Sequence, residues 1–270
     1  MTKSLVGLRN WVMLLAAGVL LPHAITAGEI HDVVKSGDAA AVKALLDKSP
    51  ALVNAKNESG QAPLHLAAEG RNPALVLLLV ERGGDVNATD NRGISPLHLL
   101  ASRGNLDAMA LLIDKGANVN LKASDGSAPL ESAVLGRQVE AVRLLVSRKA
   151  NLETANNYGR TPLVVAAREM RGASVVAALL ESGAKVDAAD KYGDTALTLA
   201  AWRGSADVVG LLLGRGATVP VNSNKGRFLL ESAVSPSLSA ASTFAPNSSK
   251  APTTAAPRIS RAATTSGVRP

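Results

Sequence analysis

The chain has 270 residues, no cysteine, and 29 basic against 22 acidic residues, a formal net charge of +7. The missing cysteine excludes disulfides, zinc–thiolate sites and thiol catalysis, and it accords with an exported protein that avoids oxidative mispairing. The positive balance belongs to the ends: setting aside two basic residues in 1–27, and six basic and one acidic residue in 222–270, leaves 21 of each sign in residues 28–221. The body of the chain is therefore not a polycation, and nucleic-acid binding by it is not expected.

Residues 1–27 read as a secretory leader. Lys3 and Arg9 precede an apolar run of 11 residues from Trp11 to Leu21, Pro22 ends it, and Ala27 is a small residue suited to cleavage before Gly28. An uncleaved anchor is the alternative, but a bilayer-spanning helix needs about 20 apolar residues. Residues 29–56 are expected to form a capping half-repeat. Glu29 to Lys35 is helix-like, Gly37 breaks it, and Asp38 can cap a second helix bearing Val42, Leu45 and Leu46. Glu29, His31, Asp32, Lys35 and Lys43 offer the polar outer face that a terminal repeat needs.

From there the chain repeats. Glycines recur at Gly60, Gly93, Gly126, Gly159, Gly193 and Gly226, spaced by 33, 33, 33, 34 and 33 residues. A second series, Gly83, Gly116, Gly183 and Gly216, marks helix ends, with Lys149 where another glycine is due. A fixed period of this length means stacked helix–turn–helix units, each too thin to bury its own apolar face. Five full repeats follow, at 57–89, 90–122, 123–155, 156–189 and 190–222, and residues 223–234 echo 123–134 as a C-terminal half-cap. The first helix of the second full repeat opens at the cap-and-proline pair Ser95-Pro96, where the missing N–H of proline costs nothing. Ala62 and Ala128 lack the capping hydroxyl, which should weaken those starts by about 1 kcal/mol each. The third repeat is expected to be the loosest: Val134-Leu135-Gly136 replaces a polar turn, and Lys149 in a left-handed conformation would cost about 1–2 kcal/mol. One extra residue falls between Glu169 and Ser174, where Gly172 can absorb it. Residues 235–270 contain 26 Ser, Thr, Ala and Pro residues out of 36 and no acid, the composition of a disordered tail. Its Lys250, Arg258, Arg261 and Arg269 could attract an anionic surface weakly.

The segments APLHLAA (62–68), SPLHLLA (95–101) and TPLVVAA (161–167), with endings such as Gly116-Ala117-Asn118-Val119-Asn120, resemble the ankyrin repeat over about residues 29–234. The resemblance implies an all-α solenoid of helix–turn–helix units joined by hairpin-like turns. It also implies that His65 and His98 brace the turn. Equivalent residues of stacked repeats lie about 8–10 Å apart, too far for two imidazoles to share one zinc ion without help. His31 has no partner that the sequence identifies. No G-x-S-x-G, P-loop, H-E-x-x-H or supported pair of catalytic acids occurs, so no catalytic residue, cofactor or metal is expected. Asn57, Asn87 and Asn247 open N-glycosylation patterns, which matter only in a host that glycosylates.

Aromatics are few. Tyr158 and Tyr192 occupy the third position of their repeats, at the turn tip, and Trp202 the thirteenth, at the end of a first helix. In ankyrin-like proteins these positions line the concave partner-binding groove. Arg160, Arg168, Lys191 and Arg203 are expected beside them, with Asp194 as a counter-charge. Tyr, Trp and Arg are the residue types enriched at binding hot spots, although singly exposed rings are also common. The expectation is a monomeric, exported, non-enzymatic module that binds a protein mainly through residues 158–203, in the periplasm of a Gram-negative cell. A protein exported further, to bind a host protein, is the second reading, and an enzyme subunit the third.

Overall fold

A computed structural model describes residues 27–70, 72–169 and 172–219. The expected leader up to residue 26, the expected half-cap at 223–234 and the expected disordered tail lie outside the described residues. Within them twelve α-helices pair into six units. The first helices are α1 (Ala27–Ser36), α3 (Pro63–Glu69), α5 (Pro96–Arg103), α7 (Pro129–Leu135), α9 (Pro162–Arg168) and α11 (Ala196–Trp202). The second helices are α2 (Ala39–Lys48), α4 (Pro73–Glu81), α6 (Leu106–Asp114), α8 (Val139–Ser147), α10 (Ala173–Glu181) and α12 (Ala206–Gly214). Each first helix packs on the first helices before and after it, and the second helices do the same in their own layer. The chain is thus an all-α, two-layer solenoid. Among the described residues the only β feature is an isolated bridge between Ala189 and Thr195.

Two kinds of residue make the stack. Leu64, Leu97, Leu130, Leu163 and Leu197 line the first-helix layer, and Leu79, Leu112, Leu145, Leu179 and Leu212 the second; every one is buried to within 1%. Burying a leucine contributes about 1.5–3 kcal/mol, so these two stripes form the spine of the molecule. Small residues on the first helices, among them Ala68, Ala101, Ala133, Ala167 and Ala200, are fully enclosed and let neighbouring backbones approach. The N-terminal unit holds two helices and a 3-10 turn at Pro50–Asn54. Asp38 caps α2 by accepting the Ala41 N–H at 3.0 Å.

The third repeat is not frayed. Helices α7 and α8 match α9 and α10 in length, with 7 and 9 residues. Its irregularity is concentrated in two residues instead. Lys149 is left-handed (φ 67°), as the missing glycine demands, and Arg137 is left-handed too (φ 57°), where Gly104 and Gly204 stand in other repeats. Gly136 keeps a negative φ of −73°; glycine is needed there because a Cβ would run into the Ser102 carbonyl of the preceding repeat. The extra residue of the fourth repeat is taken up between α9 and α10, where the Gly172 N–H reaches the Glu169 carbonyl at 3.1 Å.

Candidate protein-binding surface

The turn edge is built by one side chain per repeat. Asn57, Asp90, Asn156 and Asp190 each use Oδ1 to accept the N–H groups two and four residues ahead, for example Asp190 from Tyr192 (2.8 Å) and Asp194 (2.9 Å). This closes each turn on itself and sets its glycine left-handed. Ala123 cannot do this, and Asp125 substitutes by accepting from Ser127. Successive turns then join through the backbone: Asn91 N–H to Ser59 O, Ser124 to Arg92, Asn157 to Asp125, and Lys191 to Tyr158, at 2.8–3.0 Å. The turn tips are therefore a rigid, continuous edge rather than independent loops. This first-position Asx residue recurs at the same period as the glycines, and that signal could have found it in the sequence.

Tyr158 and Tyr192 stand on this edge 54% and 64% exposed, and Trp202 at the end of α11 is 64% exposed. Lys191 and Arg168 are exposed beside them. Arg160 differs from its neighbours. Its side chain is only 16% exposed, its Nε–H donates to Asp190 at 3.1 Å, and its guanidinium lies 5.2 Å from the centre of the Tyr158 ring. It supports Tyr158 from below and ties the fourth repeat to the fifth. The acid that meets this arginine is Asp190, which sequence reasoning missed; Asp194 accepts from the Thr198 hydroxyl at 3.5 Å. Burial alone would raise the Asp190 carboxyl, but the N–H donors of Asp194 and Tyr192 and the Arg160 guanidinium outweigh it and hold its pKa below the usual range. Arg203 lies 4.9 Å from the Trp202 ring centre, a cation–π pair, with its Nε–H buried and unpartnered among the described residues. Leu135, at the end of α7, is a further exposed apolar side chain (55%) that the sequence reading did not single out.

The histidines form a second system, inside the stack. His65 Nδ1 accepts the Ala62 N–H at 3.1 Å, so Nε2 carries the proton and donates to the Ile94 carbonyl of the next turn at 3.0 Å. His98 does the same between Ser95 N–H (3.2 Å) and Ser127 O (3.4 Å), and His31 Nε2 reaches Gln61 O at 2.9 Å. His31 thus belongs to the same series. Each ring fastens one repeat to the turn of the next. Burial lowers the pKa of His65 and His98, keeping the rings neutral. Glu131 replaces histidine in the third repeat. Its Oε1 accepts from Asn156 Nδ2 at 2.9 Å, Oε2 is buried without a partner among the described residues, and burial raises its pKa. Among the described residues no group of three or more His, Asp or Glu could hold a metal ion.

An all-helical stack with a rigid turn edge and exposed rings along it defines a repeat scaffold for protein–protein interaction. The family model for ankyrin repeats (three copies) matches residues 30–90, 71–156, 118–190 and 149–225, and the chain belongs to the ankyrin repeat family. Among solved structures it is similar to the crystal structure of the ankyrin repeat domain of Bcl-3, a member of the IkappaB family, with 28% identity and a TM-score of 0.66, covering 77% of this chain and 99% of that one. No curated protein sequence matches the chain. Ankyrin repeats are interaction modules, and the fold is a non-enzymatic scaffold.

Proposed function

We propose that this chain is an exported protein-interaction module that holds a protein partner along the turn tips and first-helix ends of its fourth and fifth repeats. The observation that carries the reading is the placement of the aromatics. Tyr158, Tyr192 and Trp202 are all more than half exposed, on two adjacent repeats and along one edge, while the core is filled by aliphatic side chains. Large exposed rings next to arginines are what desolvated hot spots are made of. Tyr158 is already supported by Arg160, so little ordering entropy would be lost when a partner packs on it. Export rests on the leader-like residues 1–27, with the periplasm as the compartment that the cysteine-free chain fits best.

The test is photocrosslinking in intact cells, with a photoreactive residue at position 202 and a control at Glu140 on the outer layer. A dominant adduct at 202 that is absent at 140 would identify the partner and its compartment together. An abundant, folded protein with no adduct at 202 would exclude the aromatic edge as the working surface.

A further inference from the structure

In four successive repeats an arginine stands at or just beyond the end of the first helix: Arg103 closes α5, Arg137 lies two residues after α7, Arg168 closes α9 and Arg203 follows α11. Among the described residues Arg137 alone is answered by an acid, Glu169 at 3.6 Å. Arg103, Arg168 and Arg203 form no ion pair and donate no side-chain hydrogen bond there. Arg103 and Arg168 are exposed, and Arg203 lies against the exposed Trp202 ring. The repeat body is electrically balanced, and several of its other arginines pair with acids of neighbouring repeats, as in Arg82–Asp47, Arg143–Glu181 and Arg148–Asp114. Among the described arginines only Arg103, Arg168, Arg203 and Arg215 form no ion pair; the first three stand at first-helix ends, and Arg168 and Arg203 share the fourth and fifth repeats with the exposed rings.

Resting on the groove reading above, we propose that this row receives an acidic segment of the protein partner, with carboxylates meeting Arg168 and Arg203 and an apolar side chain seated on Trp202. Successive helices of a stack lie about 8–10 Å apart. An extended chain rises about 3.3 Å per residue, so carboxylates at every third position match that spacing. Carboxylates seven residues apart on a helix match it equally. The chain's own C-terminal segment is the wrong occupant, since residues 222–270 carry six basic residues and one acid. A second copy would oppose the same charges. Glu169 meets Arg137, and Asp125 and Asp194 stand in the turns of the third and fifth repeats; these acids would repel a continuous phosphate backbone, whereas a peptide can place its charges between them.

The experiment uses the full chain and a fluorescent peptide with Glu at every third position around a central Phe, its Gln counterpart, and an oligothymidylate, read by anisotropy. The Glu peptide should bind while the Gln peptide does not. Arg168→Glu and Arg203→Glu should each weaken binding by about tenfold or more, and added salt should weaken it further. Arg168→Gln provides the same reading with less disturbance to the helix end, and circular dichroism confirms the fold of each variant. Equal binding of the Gln peptide, stronger binding of the oligonucleotide, no binding of the Glu peptide, or indifference to charge reversal overturns the inference. The crosslink at position 202 separates it from the reading beneath it. An adduct whose yield is unchanged by Arg168→Glu removes the acidic partner and leaves the groove; a missing adduct removes the groove itself.

Discussion

At the scale of single residues, the informative positions are those where the repeat is broken. Glu131 stands where His65 and His98 bridge two repeats, and a carboxylate cannot donate to a carbonyl unless it is protonated. Burial raises its pKa, with Asn156 and Arg160 pulling down and Asp125 pushing up. A folded pKa above the unfolded value gives stability that is complete below the ordinary glutamate range and lost as pH rises through the folded value. Glu131→Gln should therefore be more stable than the parent at neutral pH and lose that advantage in acid; urea unfolding across that range would show the two midpoints converging. His65 and His98 work in the opposite sense, since their folded pKa values lie below the usual 6.5 and stability falls as pH drops through that window. Comparing Glu131→Gln with the parent cancels that background. Trp202 breaks no rule of packing, being 64% exposed. Trp202→Ala should leave the thermal midpoint nearly unchanged while weakening partner capture. A large loss of stability would assign it to the core.

At the scale of the element, the third repeat shows that local strain need not shorten a helix. Lys149 and Arg137 both adopt left-handed conformations, each costing about 1–2 kcal/mol relative to an unstrained residue. The repeat keeps its helices because Ala141, Val142 and Leu145 are buried on both sides and because the Lys149 carbonyl accepts the Asn120 amide at 3.3 Å. Lys149→Gly should raise stability by about 1 kcal/mol, offset in part by the greater freedom of glycine in the unfolded chain. Chemical denaturation settles the sign. On this outer edge Asn54, Asn87 and Asn120 form a ladder, each donating to one carbonyl of the next unit and accepting an N–H from it. Glu153 and Asp187 continue it as acceptors only. Asp187 recovers the second bond by accepting the Thr218 hydroxyl at 2.6 Å, so only the Glu153 rung, between the third and fourth repeats, has one bond fewer along this edge.

At the scale of the whole molecule, each unit touches only its neighbours, so stability is a sum of unit and interface contributions. The middle units have two partners. Amide exchange should therefore be slowest in α5–α8 and fastest in α1 and α2, and uniform protection would show that the array unfolds as one block. Leu145→Ala, in the centre of the stack, should cost about 2–5 kcal/mol in a denaturation series. The period of 33 residues, the helix pairs and the left-handed glycine positions with Lys149 could be read from the chain itself, and the exposed place of the rings from the resemblance to the ankyrin repeat; the left-handed Arg137 could not. The features read from the chain itself depend on local geometry: which residue tolerates positive φ, where a proline can start a helix, which face is apolar. What joins the repeats could not be read that way. The histidine bridges, the Arg160–Asp190 pair, the Gly136 approach to Ser102 and the asparagine ladder connect residues about one repeat apart. Local pattern is silent on them, because only lateral packing of one unit on the next brings those partners within hydrogen-bonding distance. The unanswered arginines became visible for the same reason: a cation is known to be free only once the neighbours that might have paired with it are in place.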